Sequence, residues 1–299
     1  MSRDPQAELK QFRPTKAFFV GIDSDGCVFN SMEVKHNDCF SVAVVRHFGL
    51  QAISRQVHQA WDFVSLYSQT RACHRWRALL WTFDHLRAMP RVRRSGVVIP
   101  QLPHLRAWIE RETAVGNARL AELIETATGA RREELVDLMT WSRAVDRAIE
   151  ETVHHLPPFP GVEACLVRLG AQADLIVVSG TPEEALRREW AEHRLDRHVA
   201  LLAGLEMGSK SEHLTLAAKG KYPAEQVLMI GDAPGDLQAA RDVGALFFPI
   251  NPGAEEESWE RFASEGMDRF FGKSYAGDYQ AERIEEFMRL LPSDPPWKT

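Results

Sequence analysis

Cysteine is scarce in this chain and none of it is paired by spacing. Four cysteines in 299 residues (Cys27, Cys39, Cys73 and Cys165) form no CxxC pair and no zinc-ligand spacing, so they read as reduced structural thiols in a cytoplasmic protein. Positive charge is also short. Lys and Arg total 36 against 42 Asp and Glu, a formal net charge of -6, which argues against whole-protein attraction to nucleic acid or to an anionic membrane. No apolar run approaches the length of a bilayer span, and the opening MSRDPQAELKQFRP lacks the apolar centre of a signal peptide, so a soluble protein is expected. Neither an internal repeat nor a low-complexity tract is present.

What the chain does have is a series of short apolar runs that end in turn-forming residues. AFFVGID (Ala17 to Asp23) is aromatic and β-branched, as suits a strand buried on both faces. DLIVVSG, HVALLAG, VLMIGD and ALFFPI follow between Asp174 and Ile250, separated by helix-like segments such as PEEALRREWAEH and GDLQAARDVG. Strands alternating with helices predict an α/β fold, a doubly wound parallel sheet.

Strand signals are nearly absent from Glu33 to His155. VKHNDCFSVAVVRHFGL stops at a glycine, RACHRWRALLWTFDHLRAM runs up to Pro90, and RREELVDLMTWSRAVDRAIEE carries acids in its first turns, all with helical spacing of apolar residues. The proline-rich HHLPPFPGVEA marks the return to the sheet. The expected organisation is a core of residues 1–32 and 156–299, its first dozen residues and extreme C-terminus flexible, with an all-helical insertion over 33–155.

In an open parallel sheet, ligands bind beyond the carboxyl ends of the strands. The first predicted strand delivers Asp23 and Asp25 there, the second Ser179, and the fourth Asp232, with Asp236 four residues on; Lys210 follows the third. Two carboxylates about 4 Å apart repel by about 1 kcal/mol in water and several times that near a protein surface. A hard cation relieves this, and an oxygen-only donor set without histidine or cysteine suits Mg²⁺ far better than zinc.

The ordered set, Asp23-Ser24-Asp25-Gly26, IVVSG with Ser179, EMGSKSEHL with Lys210, and GDAPGD with Asp232 and Asp236, resembles the four motifs of the haloacid dehalogenase-like superfamily in its phosphatase branch. That resemblance covers the core from Ala17 to Ile250. It implies that Asp23 is the nucleophile forming an aspartyl-phosphate and that Asp25 is the general acid and base. Ser179 and Lys210 would contact the transferring phosphoryl group. Asp23, the backbone carbonyl of Asp25, and Asp232 would hold Mg²⁺, with Asp236 as a ligand or support. The insertion resembles the family's helical cap, which implies a small phosphorylated substrate. Phosphonate-cleaving and dehalogenating relatives lack the second aspartate, which is present here, although Lys35, the only lysine between Lys16 and Lys210, keeps an imine former conceivable. The alternatives are a phosphomutase and a catalytically silent binding protein of the same fold.

Several residues carry plainer readings. Cys27 beside the nucleophile suits a buried thiol. Thr181 reads as a helix cap before Pro182, and Asp236 could cap the helix it opens. His154 and His155 precede the proline linker, and Trp76, Trp81 and Phe83 suit the core of the insertion. Seven arginines between Arg71 and Arg94 face one acid, Asp84; they form either a solvated face or a binding surface for a second anionic group.

Overall fold

A computed structural model describes residues 4–112 and 115–298. The chain divides into two compact units, residues 4–32 with 155–291, and residues 33–154 with 292–298.

The first unit begins with α1 (Ala7–Gln11) and β1 (Phe18–Ile22). The helices α2 (Ser31–Val34), α3 (Ser41–His47), α4 (Ser54–Ser65), α5 (Arg75–Ala88), α6 (Pro90–Ser95), α7 (Pro103–Arg111), α8 (Asn117–Thr126) and α9 (Gly129–Thr152) come next. The chain then runs α10 (Val162–Gly170), β2 (Ala173–Val178), α11 (Glu183–Glu192), β3 (Leu201–Ala203), α12 (Lys210–Ala217), β4 (Val227–Gly231), α13 (Pro234–Val243) and β5 (Leu246–Pro249). It closes with α14 (Glu255–Arg261), α15 (Met267–Phe271) and α16 (Asp278–Leu290).

All five strands are parallel, in the order β3-β2-β1-β4-β5. Strand order reverses between β1 and β4, and a crevice at such a switch point is where doubly wound sheets bind ligands. Every residue of β1, β2 and β4 is buried, because helices cover both faces. Phe18, Val20 and Ile22 meet Leu166, Trp190 and Trp259 on one face, while Phe19 meets Leu9, Leu214 and Phe287 on the other. The period-two alternation of a strand thus feeds two cores at once.

The second unit is helical, packed around Trp61, Trp76, Phe83 and Trp141, all fully buried, with Trp81 against them. The helix expected to run through VKHNDCFSVAVVRH is interrupted by a wider π-type turn over Lys35–Phe40. Of the arginines, Arg71 is buried and donates to the Leu66 carbonyl at 2.8 Å. Arg75 pairs with Asp146 at 2.6 Å and Arg87 with Asp84 at 2.6 Å, while Arg91, Arg93 and Arg94 are exposed.

Both ends of the described chain make specific contacts. α1 packs through Leu9, which is fully buried, and Gln6 donates to the Met207 carbonyl at 3.0 Å. Residues 292–298 belong to the helical unit rather than the end of the core. Trp297 sets its ring edge-on to Phe63 and His85, and Gln69 N–H donates to the Pro292 carbonyl. Among the described residues, no helix is long and apolar enough to cross a membrane.

Candidate active site

β1 and β4 are adjacent and parallel, so the residues that follow them emerge side by side. Asp23 N–H donates to the Ile230 carbonyl at 2.9 Å, extending the ladder one residue past β1. Beyond it the chain turns sharply. The Ser24 carbonyl accepts N–H groups from Cys27, Val28 and Phe29, and Gly26 takes φ +74°, a left-handed conformation for which glycine is the ordinary choice.

The carboxylates of Asp23, Asp232 and Asp236 converge, one oxygen of each lying within 4.8 Å of the others. They are 4%, 1% and 0% exposed, respectively. Lys210, the first residue of α12, reaches into the group, its Nζ 2.6 Å from Asp23 Oδ2 and 2.6 Å from Asp236 Oδ1. α12 is itself fixed by a capping box in which Ser209 Oγ accepts from Glu212 N–H and the Glu212 carboxylate accepts from Ser209 N–H.

Burial pushes the Asp23 carboxyl well above the usual carboxylate range, with Asp236 and Asp232 adding to the effect and Lys210 opposing it. Burial works against the Lys210 ammonium, yet Asp23 and Asp236 hold it protonated beyond the ordinary lysine value. Were all three carboxylates ionised against the one ammonium, the cluster would carry two negative charges in a buried space. With oxygen donors alone and no histidine or thiolate in the group, that set fits a divalent hard cation such as Mg²⁺.

Asp236 serves its helix and reaches Lys210 with different oxygens. Its Oδ2 accepts from Ala233 N–H at 3.0 Å, capping α13, while Oδ1 holds Lys210. Ser179 lies directly after β2, is 2% exposed, and accepts from Thr181 N–H through Oγ at 3.1 Å. The Asp25 carboxylate stands outside the three-carboxylate cluster; one oxygen accepts from Ser31 Oγ and the other from Thr181 Oγ at 2.7 Å.

Thr181 is therefore not a helix cap. α11 takes Pro182 at its cap position, and the Thr181 hydroxyl turns to Asp25 instead. Neither Ser31 nor Thr181 was singled out by sequence as a site residue; the only local signal is a hydroxyl close to an acidic motif or strand end. Cys27 is fully buried, and burial first, then the three aspartates, drives its thiol far above the usual range, which makes it an inert packing residue. His155 N–H donates to Glu192 Oε2 at 3.0 Å, tying the linker to α11.

A family model for haloacid dehalogenase-like hydrolases matches residues 22–244, most of the chain. No curated protein matches. Among solved structures, a predicted phosphoglycolate phosphatase from Haemophilus somnus is 15% identical over 79% of this chain and 86% of its own, with a TM-score of 0.48. A HAD-superfamily hydrolase of subfamily IA from Geobacter sulfurreducens is 15% identical over 80% and 89%, with a TM-score of 0.39. A Bacillus subtilis protein assigned as a HAD hydrolase and solved with magnesium is 15% identical over 78% and 86%, with a TM-score of 0.42. With the family model matching most of the chain, from just before Asp23 to just beyond Asp236, the chain belongs to the haloacid dehalogenase-like hydrolases.

Proposed function

We propose that this hydrolase is a Mg²⁺-dependent phosphomonoesterase that acts on a small phosphorylated metabolite through a phosphorylated Asp23. The observation that carries the reading is Lys210 bridging Asp23 and Asp236 at 2.6 Å each, beside Asp232 in a buried cluster of three carboxylates. A structural salt bridge needs only one acid; the surplus of buried carboxylates calls for a cation.

Asp23, Asp232 and Asp236, with the Asp25 backbone carbonyl, would hold Mg²⁺. A bound divalent cation supplies charge neutralisation at the phosphoryl oxygens. Lys210 holds one Asp23 oxygen, fixing the carboxylate so that an oxygen can attack phosphorus. As the new O–P bond forms, the ester P–O bond breaks and Asp25 gives its proton to the leaving oxygen. Water then attacks the phosphorus, Asp25 takes up the water proton, and the bond between Asp23 and phosphorus breaks. Ser179 Oγ, one lone pair occupied by Thr181 N–H, can direct its own hydrogen to a phosphoryl oxygen.

The test is inorganic phosphate release from a panel of phosphorylated metabolites, with Mg²⁺ and with chelator, using wild type and Asp23→Asn. Release that requires metal and disappears in the variant is expected. Release at the wild-type rate from Asp23→Asn would overturn the nucleophile assignment, and isomerised product without phosphate would identify a mutase.

A further inference from the structure

Both oxygens of the Asp25 carboxylate accept hydroxyl hydrogen bonds, from residues far apart in the chain. Ser31, six residues on, is 1% exposed at the start of α2. Thr181 arrives from the turn after β2, 156 positions away, with its Oγ at 2.7 Å. Thr181 is itself fixed on both sides of its backbone. Its N–H donates to Ser179 Oγ at 3.1 Å, and its carbonyl accepts from Leu205 N–H at 2.9 Å. The turn at Gly204 packs so tightly that an added Cβ would lie 2.9 Å from that carbonyl oxygen.

We propose that Thr181 and Ser31 are positioning residues that hold the Asp25 carboxyl in one orientation through both of its protonation states. The proposal rests on the phosphatase reading above. In that reaction Asp25 begins as an acid, becomes a carboxylate when it protonates the leaving oxygen, and regains a proton from water. A partner that can only donate, such as an ammonium, a guanidinium or a backbone N–H, fits either oxygen of the carboxylate but cannot accept from the acid's own O–H. A hydroxyl fits both. By rotating about its C–O bond it donates to the carboxylate and accepts from the protonated oxygen, with no heavy atom moved. Thr181 also links the proton-transfer group to the phosphoryl-binding one, because the same residue orients Asp25 through its side chain and Ser179 through its backbone. Correct placement of this kind is what separates a nearby acid from an effective one.

The test compares kcat/KM for p-nitrophenyl phosphate and phenyl phosphate with Mg²⁺ present. Nitrophenolate departs readily as an anion, whereas phenolate, whose conjugate acid resembles tyrosine with a pKa of about 10, gains from a positioned proton. Thr181→Val, which keeps the branched shape and loses the hydroxyl, is expected to lose about tenfold on phenyl phosphate and several-fold less on the nitrophenyl ester. Thr181→Ser should restore most of the loss. Ser31→Ala and Ser31→Thr give a second, independent pair should Thr181→Val fold poorly, and Asp25→Asn sets the full effect of losing the acid. Equal losses on both esters, no loss on either, or no rescue by the hydroxyl variants would overturn the positioning roles while leaving the phosphatase reading intact. A wild type inert toward both esters and toward every phosphorylated metabolite of the panel overturns that reading, and the positioning roles fall with it.

Discussion

Gly231→Ala is expected to be far more damaging than a single added methyl group suggests. Gly231 ends β4, and a Cβ there would lie 2.5 Å from Asp236 Cβ, Cγ and Oδ2. Contacts so short are not tolerated, so Asp236 must move. It cannot move freely, because its Oδ2 takes the Ala233 N–H at 3.0 Å and its Oδ1 holds Lys210 at 2.6 Å. Overpacking a close-fitted interior costs about 1–3 kcal/mol, and a lost capping bond adds about 1 kcal/mol. A total of about 3 kcal/mol corresponds to a fall in Tm of roughly 6–12 °C for a domain of this size. Thermal unfolding measures the stability, and Mg²⁺ titration calorimetry should show weakened binding because one carboxylate of the cluster has been displaced. Gly235→Ala, exposed in α13 with nothing within 4 Å of an added Cβ, is the control and should stabilise by about 0.5–1 kcal/mol. A Gly231→Ala protein with unchanged Tm and unchanged Mg²⁺ affinity would refute the close approach of strand and carboxylate.

Acid should destabilise the first unit through His213. This fully buried residue has its pKa lowered to about 4 by burial, with Lys210 adding to the effect. Below the unfolded value of about 6.5 the unfolded chain gains a proton that the folded chain refuses, so stability is complete above that pH and falls as pH drops toward 4. The loss is about 3 kcal/mol at most; urea unfolding at pH 7.5 and 4.5 should show a smaller drop in His213→Leu than in wild type, and an equal drop would refute the assignment. Trp297→Ala should loosen the tail by removing edge-on contacts at 5.4 Å to Phe63 and 5.6 Å to His85, pairs worth roughly 0.5–1.5 kcal/mol each beyond area burial. Hydrogen exchange at the Gln69 amide should accelerate, since it donates to Pro292, and unchanged protection would show that the tail is held by other means.

The parts of the site visible in sequence are those fixed by strand ends. AFFVGID and VLMIGD each announce a buried strand and its terminal aspartate, and a parallel sheet necessarily gathers such residues at one edge. Lys210 is placed by sequence only as a residue following the third strand, and its role comes from the resemblance; a lysine at a helix start has no local mark, and its meaning comes from two aspartates 187 and 26 positions away. Thr181 was misread because a threonine before a proline matches a helix start, while its actual partner lies in another motif. Tertiary contacts likewise explain both chain ends. Five residues of α1 cannot form a stable helix alone, yet burial of Leu9 secures them, and the polar, proline-rich tail is anchored by one aromatic ring.

The two aspartates of the first motif lie one residue apart and hold different partners. Asp23 shares a buried cluster with two further carboxylates and takes the half-buried Lys210 ammonium. The Asp25 carboxylate accepts from two hydroxyls, groups that can both give and accept a hydrogen bond. In the proposed reaction, a cluster of carboxylates suits the aspartate that would attack beside a metal, and hydroxyl partners suit the one that would exchange a proton. One fold can run nucleophilic and acid-base chemistry with the same side-chain type by placing the two copies in different surroundings. The turn at Gly26 belongs to that division, since by reversing the chain it brings Ser31 back to Asp25 and leaves Asp23 to the lysine and the carboxylates.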